Sequence, residues 1–258
     1  MANPPKKPGR SRAEEKAAQQ ARREARREKA ARQAEALARE RARRKLKERL
    51  IVGGVVLAVI AAIGGIFWYQ QAKDSARENA AVPANITDEF ALATGEDDAP
   101  RTVEIYEDFL CPACAQFELA TADMLDKAAE DGKVQVKYYP IEILGQYGDY
   151  SKDAANAFAV VLDKSGPEVA KKFHDLLFKE QPAESGDLPD KDWLIDRAVE
   201  AGAEESEVRP GIEDGTFDLW VENATEHAFE EGVTGTPTVM VDGERFEGGP
   251  AELAALLG

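Results

Sequence analysis

Apolar positions recur along most of this chain in the short periods of helices and strands, but from Leu50 to Tyr69 they close up into LIVGGVVLAVIAAIGGIFWY, 20 residues without a formal charge. At about 1.5 Å of rise per residue that run makes a helix about 30 Å long, the thickness of a bilayer's hydrocarbon core, and it reads as a transmembrane anchor over 50–69. Before it, residues 1–49 form a basic segment. From Ala13 to Arg49 this segment is dominated by Ala, Arg, Glu and Gln, with Glu28/Arg32, Glu35/Arg39 and Glu40/Arg44 at the i,i+4 spacing that supports a helix. Large apolar residues are almost absent until Leu37 and Leu46, so the pattern predicts a solvated helix and no coiled coil. After the anchor, residues 70–88 contain Pro83, show no sustained periodicity and read as a linker.

From residue 89 to residue 258 the pattern is that of a packed domain. Phe90–Thr94 and Thr102–Phe109 read as strands on either side of a Gly95–Asp98 turn. Phe117, Met124 and Leu125 then give a helix stopped by Gly132, and Lys133–Pro140 alternates as a further strand. Strand, helix and strand in that order predict a right-handed βαβ unit. Between about 145 and 231 the periodicity becomes helical, through DAANAFAVVLDKS, EVAKKFHDLLFKE, DWLIDRAVEAG and FDLWVENATEHAFEEG. Strand signals return at Thr238–Val241 and Arg245–Glu247, before the helix AELAALL. The expected class is α/β with an inserted α-helical subdomain.

Charge divides the chain in the same place as hydropathy. The net charge is −16, yet residues 1–49 carry 18 Lys+Arg against 7 Asp+Glu, a net +11, which leaves −27 for the rest. A uniformly basic nucleic-acid binder is excluded, and no nucleic-acid partner is expected. Arg43, Arg44, Lys45, Lys47 and Arg49 crowd one end of the apolar run, and Trp68 and Tyr69 stand at the other. The positive-inside rule then places the N-terminus in the cytoplasm and the acidic body outside, on a single-pass protein of the plasma membrane. The basic flank also suits anionic lipid of the bilayer. A cleaved signal peptide is the competing reading; the 49-residue leader and the length of the apolar run exceed its usual dimensions.

The chain has two cysteines, in Cys111-Pro112-Ala113-Cys114, directly after the strand TVEIYEDF and at the start of the following helix. Unpaired N–H groups and the positive end of the dipole at a helix N-terminus stabilise a thiolate, so Cys111 is placed to leave as one. Cys114, one turn along, has the spacing to bridge to it or to attack a mixed disulfide formed by it. A closed zinc site needs four ligands, and the two histidines, His174 and His227, lie far from the cysteines. A purely structural bridge across two residues constrains the unfolded chain little. Redox exchange is the better use of this pair. His174 sits among Phe173, Leu176, Leu177 and Phe178 and is expected to be structural, as is His227, while Trp193 and Trp220 supply packing surface. Asn85 and Asn223 head glycosylation sequons, a pattern too permissive to carry weight.

With the Cys-Pro-Ala-Cys motif, the helical insertion and the segment Gly235-Thr236-Pro237-Thr238 together, residues 89–258 resemble the DsbA-like thiol:disulfide oxidoreductases of the thioredoxin superfamily, in a membrane-anchored bacterial form. The resemblance implies a thioredoxin-like fold with Cys111 as the exposed nucleophile and Cys114 as the resolving thiol. Pro237 matches the family's cis-proline facing the disulfide, and Thr236 the residue whose backbone pairs with an extended substrate. The sequence departs from the family at Ile105, where an acidic residue often stands on the strand six positions before the nucleophile. Glu104, Glu107 and Asp108 lie nearby without an assignable role in proton transfer. Ala113 replaces the histidine familiar from strongly oxidising members, which leaves the redox direction open.

These features point to an anchored extracytoplasmic enzyme that introduces disulfides into cysteine-containing exported proteins and is reoxidised by a membrane partner of the quinone-linked type. Exchange of this kind requires no bound cofactor and no metal. The alternatives are a disulfide reductase or isomerase of the same fold, separable by redox potential, and a noncatalytic membrane-anchored binding module, separable by replacing both cysteines with serine.

Overall fold

The computed structural model describes residues 12–184 and 186–257. Its first helix, α1, runs from Arg12 to Glu78. The exposed pairs Glu28–Arg32, Glu35–Arg39 and Glu40–Arg44 close at 2.7, 2.6 and 3.1 Å. The apolar run lies inside α1 and is exposed throughout, with Leu57 and Phe67 at 68% and 67%. α1 is long and apolar enough to cross a membrane.

The second of two compact units begins at Ala72. Residues 70–78, expected to be irregular linker, are helical. Within the second unit Arg77 explains this: its Nε donates to Asn223 Oδ1 at 3.0 Å, Asn223 Nδ2 donates to the Arg77 carbonyl at 3.0 Å, and the guanidinium meets Glu226 at 2.5 Å. The rest of the expected linker also docks, with Ala84 N–H on Asp163 at 2.8 Å and Asn85 Nδ2 on the Leu162 carbonyl at 3.3 Å. Tertiary hydrogen bonds thus order a stretch whose own periodicity is weak.

The sheet has the order β1-β3-β2-β4-β5, built from β1 Leu92–Thr94, β2 Thr102–Glu107, β3 Gln135–Pro140, β4 Thr238–Val241 and β5 Glu244–Phe246. β2 and β3 are parallel, joined by α2 Pro112–Glu130, and the other pairs are antiparallel. Alternation sends Val103, Ile105, Val136, Tyr138, Val239 and Val241 into the larger core. Tyr106 and Tyr139 go to the opposite face, where they stack at 4.5 Å and join Ala224, Ala228 and Val233.

Between β3 and β4 come α3 Tyr150–Ser165, α4 Pro167–Lys179, α5 Lys191–Ala201, α6 Glu205–Asp214 and α7 Asp218–Glu230. α3 is buried almost all round from Ala154 to Leu162, and its alanines let α4 and α6 pack closely against it. Trp220 of α7 is buried and donates its Nε1–H to the Glu89 carbonyl at 2.8 Å, a packing role with its polar edge satisfied. Trp193 sits between the Tyr150 ring, tilted with its centroid at 6.2 Å, and the Arg197 guanidinium at 5.5 Å, and His227 lies by the Phe90 ring at 5.2 Å. α8, Pro250–Leu257, closes the chain against α2.

Candidate active site

β2 ends at Glu107, and the chain turns through Asp108, Phe109 and Leu110 into Cys111, the N-cap of α2. Proline suits the first helical position, where its missing N–H would have no helical partner, and Pro112 occupies it. Asp108 fixes this turn. One carboxylate oxygen accepts the Leu110 N–H at 2.9 Å and the Ser151 hydroxyl at 2.8 Å; the other accepts the N–H groups of Ile143 and Leu144 at 2.8 and 3.0 Å. Burial still holds its pKa above the usual carboxylate value, although those four donors pull it down. Gln181 adds a second clamp from the loop after α4: its Nε2 reaches the carbonyls of Phe109 and Cys111, each at 3.0 Å.

Cys111 and Cys114 are both free thiols. Cys111 has extended backbone angles, φ −75° and ψ 116°, and its thiol donates to the Thr236 carbonyl at 3.3 Å. The Thr236–Pro237 peptide is cis. The structure therefore brings together Cys111, Cys114, Thr236 and Pro237, with Pro112 and Ala113 exposed at the turn. Cys111 is only 7% exposed, much more covered than an openly presented nucleophile.

The two thiols have opposite electrostatics. The Cys114 thiol beside it lowers the pKa of Cys111 from 9.0 to about 6, against burial, helped by the Thr236 side chain and the N–H groups of Cys114 and Ala113. Backbone donors at the helix end therefore contribute as sequence reasoning expects, but the neighbouring thiol contributes more. Burial, reinforced by Cys111 and Glu107, pushes the Cys114 thiol well above its ordinary value. At neutral pH the pair is one thiolate and one thiol, the division of labour that exchange requires.

Behind Cys114 lies a buried polar cluster that sequence reasoning missed. His174 of α4, expected to be a core histidine without a partner, holds Glu107 of β2 at 2.5 Å through Nε2 and Asp175 at 2.9 Å through Nδ1. Glu118 of α2 completes the group, and ligand atoms of Glu107, Glu118 and His174 lie within 4.8 Å of one another. Burial works against a charged imidazole, but the charge of Glu107 and the bonds to Asp175 and Glu107 raise the His174 pKa. Burial and then Glu107 raise Glu118. Both imidazole nitrogens are already engaged by carboxylates, so this donor set suits holding protons better than holding a cation.

The missed signal was the stripe on which these acids fall. Glu107 continues the inward alternation Val103–Ile105, and Glu118 occupies the buried face of α2 with Cys114, Thr121 and Leu125. Asp108, to which the sequence assigns no role, is a buried turn organiser, while Glu104 points to the other face and is half-buried.

Residues 87–257 match a family model described as thioredoxin. Among solved structures, the chain is similar to oxidised DsbA of Mycobacterium tuberculosis. The identity is 35% and the TM-score 0.57, covering 65% of this chain and 90% of that one. Among curated proteins, disulfide bond formation protein D of Bacillus subtilis is 29% identical over 57% of this chain and 66% of its own length. The serine/threonine-protein kinase PknE of M. tuberculosis is 30% identical over 64% of this chain, which spans only 31% of that kinase's length.

Proposed function

Starting from the fact that this chain belongs to the thioredoxin family, among its DsbA-like thiol–disulfide oxidoreductases, we propose that it works outside the cytoplasm. There it introduces disulfides into cysteine-containing exported proteins through Cys111 and Cys114. The observation that carries the reading is the Cys111 thiol, lowered to about 6 at the N-cap of α2 and set 3.3 Å from the carbonyl beside the cis-proline. A thiolate stabilised in the reduced protein makes the oxidised form a stronger oxidant.

In the forward reaction a client thiolate attacks Cys111 Sγ of the oxidised enzyme. The Cys111–Cys114 bond breaks, a client–Cys111 disulfide forms, and Cys114 leaves as a thiolate and takes up a proton. A second client thiolate then attacks the client sulfur of that mixed disulfide, releasing Cys111 as a thiolate. The client has lost two electrons and the enzyme has gained them. A membrane partner of the quinone-linked type returns the pair to the disulfide. Thr236 supplies backbone pairing for an extended client segment, which gives affinity without a side-chain code.

The basic residues ahead of the apolar run support an orientation with the N-terminus in the cytoplasm and the thioredoxin domain outside. The test is a glutathione redox titration of the full chain in detergent, joined to trapping of client disulfides on Cys111 in a Cys114→Ser variant. A potential well above that of thioredoxin, about −270 mV, and exported clients in the trap are expected. A potential at the thioredoxin value would overturn the oxidising assignment.

A further inference from the structure

The cis-proline loop that meets the Cys111 sulfur is held from its other side by a cation that the exchange steps do not use. Thr238, directly after Pro237 and 2% exposed, donates its hydroxyl to the Gly235 carbonyl at 2.7 Å and accepts a hydrogen bond from Arg245 Nη2 at 3.2 Å. Contacts therefore run from the sulfur to the Thr236 carbonyl at 3.3 Å, along the chain to Gly235, then through Thr238 to the guanidinium. Arg245 stands on β5 opposite Met240 of β4, and its side chain is 43% exposed.

A guanidinium carries five N–H donors in a planar fork. In Arg245, Nε donates to Glu247 at 3.0 Å and one Nη2 hydrogen goes to Thr238, so three N–H groups have no partner among the described residues. Glu247 is 81% exposed and stands two positions along, which makes an exposed pair of little net strength that another carboxylate can replace. The Thr238 bond meanwhile ties one end of the fork to the loop. A Cβ on Gly235 would meet no atom within 4 Å, so this flank of Thr236 is open to a client's side chain.

We propose, resting on the exchange reading, that Arg245 is a specificity residue that recognises an aspartate or glutamate carboxylate within two positions of the client's reactive cysteine. Two hydrogen bonds, of 2.7 and 3.2 Å, span from the Gly235 carbonyl to the guanidinium, less than the about 7 Å between alternate residues of an extended strand. A client segment paired with the Thr236 backbone therefore brings a neighbouring side chain within reach of the fork. Carboxylate meets guanidinium in two parallel hydrogen bonds, a geometry that a lysine does not reproduce. Backbone pairing supplies affinity without a code, and Arg245 adds one element of side-chain choice to it.

The sign of the local charge is opposite to that of the body. The chain beyond residue 49 carries a net −27, which repels acidic clients at long range. Physiological salt screens exposed charges beyond about 8 Å, so a guanidinium beside the loop decides the interaction there. Pro112 and Ala113, the exposed residues of the motif, add no charge of their own. The bonds made and broken in exchange are unchanged; what changes is how fast a given client thiolate reaches Cys111 Sγ.

The test mixes the oxidised full chain in detergent with two reduced peptides, each holding a pair of cysteines and differing only in Asp or Asn beside each cysteine. Enzyme reduction is followed by acid quench and alkylation, and each rate is divided by that peptide's own rate with oxidised glutathione. The wild type should favour the Asp peptide about fivefold at low salt, and the preference should vanish in about 1 M salt. Arg245→Gln should abolish the preference, Arg245→Glu should reverse it, and Arg245→Lys should keep part of it. No preference in the wild type, or one that survives in Arg245→Gln, overturns the proposal. Equal slowing of both peptides with the ratio kept does so too, and leaves Arg245 as a support of the cis-proline loop. Failure of the wild type to oxidise either peptide overturns the exchange reading instead.

Discussion

Raising the pH through the range in which Cys111 ionises should change the redox potential by an amount the site's geometry sets. The thiol falls from 9.0 to about 6 because the Cys114 thiol, the Thr236 side chain and two backbone N–H groups favour its ionised form over the cost of burial. At about 1.36 kcal/mol per pKa unit, the full effect is worth about 4 kcal/mol to the reduced protein. A folded pKa below the unfolded one contributes stability that is complete above pH 9.0 and vanishes as pH falls through about 6. At pH 7, one unit above the folded value, roughly 1.4 kcal/mol remains, equivalent to about 30 mV for a two-electron couple. The assay is the potential against glutathione from about pH 5 to pH 9, with iodoacetamide alkylation rates reporting Cys111 directly. Below pH 6 reduction takes up two protons, so the potential should fall by about 59 mV per pH unit. Above it Cys111 stays ionised, one proton is taken up, and the slope should halve to about 30 mV. An unbroken 59 mV slope to pH 8, or an alkylation midpoint near 9, would refute the reasoning.

Three further outcomes follow from neighbouring groups. Asp108→Ala removes the acceptor for three N–H groups, that of Leu110 buried and those of Ile143 and Leu144 part-buried, and for the buried Ser151 hydroxyl, so urea denaturation should show a loss of at least about 3 kcal/mol; a loss under 1 kcal/mol would mean that other acceptors replace it. Gln181→Ala frees the Phe109 and Cys111 carbonyls and should cost about 1–2 kcal/mol, with faster amide hydrogen exchange at Ala113 and Cys114. Unchanged exchange there would remove Gln181 from the active-site turn. Trp220→Phe gives up the bond to the Glu89 carbonyl and part of a buried ring, about 1–3 kcal/mol by denaturation; a neutral result would show that Phe90 and α7 repack.

Local chemistry was readable where it was also local in sequence. Cys111 and Cys114 sit where a strand hands over to a helix, and β2, α2 and β3 follow from alternation and helical spacing alone. The Glu107–His174 contact was hidden because its two residues are 67 positions apart. Each lies on an apolar stripe that by itself reads as core. Asp108 was hidden in the same way: its donors come from Ile143, Leu144 and Ser151, which only the fold brings to the turn. Conversely, residues 70–78 carry too little periodicity to announce a helix, and partners on α7 supply the order.

Both margins of the sheet are strands of three residues, Leu92–Thr94 and Glu244–Phe246, and the latter presents Glu244 and Arg245 to solvent. Such borders offer too few free amides and too much charge to recruit a stray extended polypeptide. For the proposed work on unfolded client chains, this matters as much as reactivity. Under the proposed function, a client that cannot zip onto either rim is left with the Thr236 carbonyl beside the sulfur, so that capture and chemistry would share one address and promiscuous co-aggregation would be discouraged.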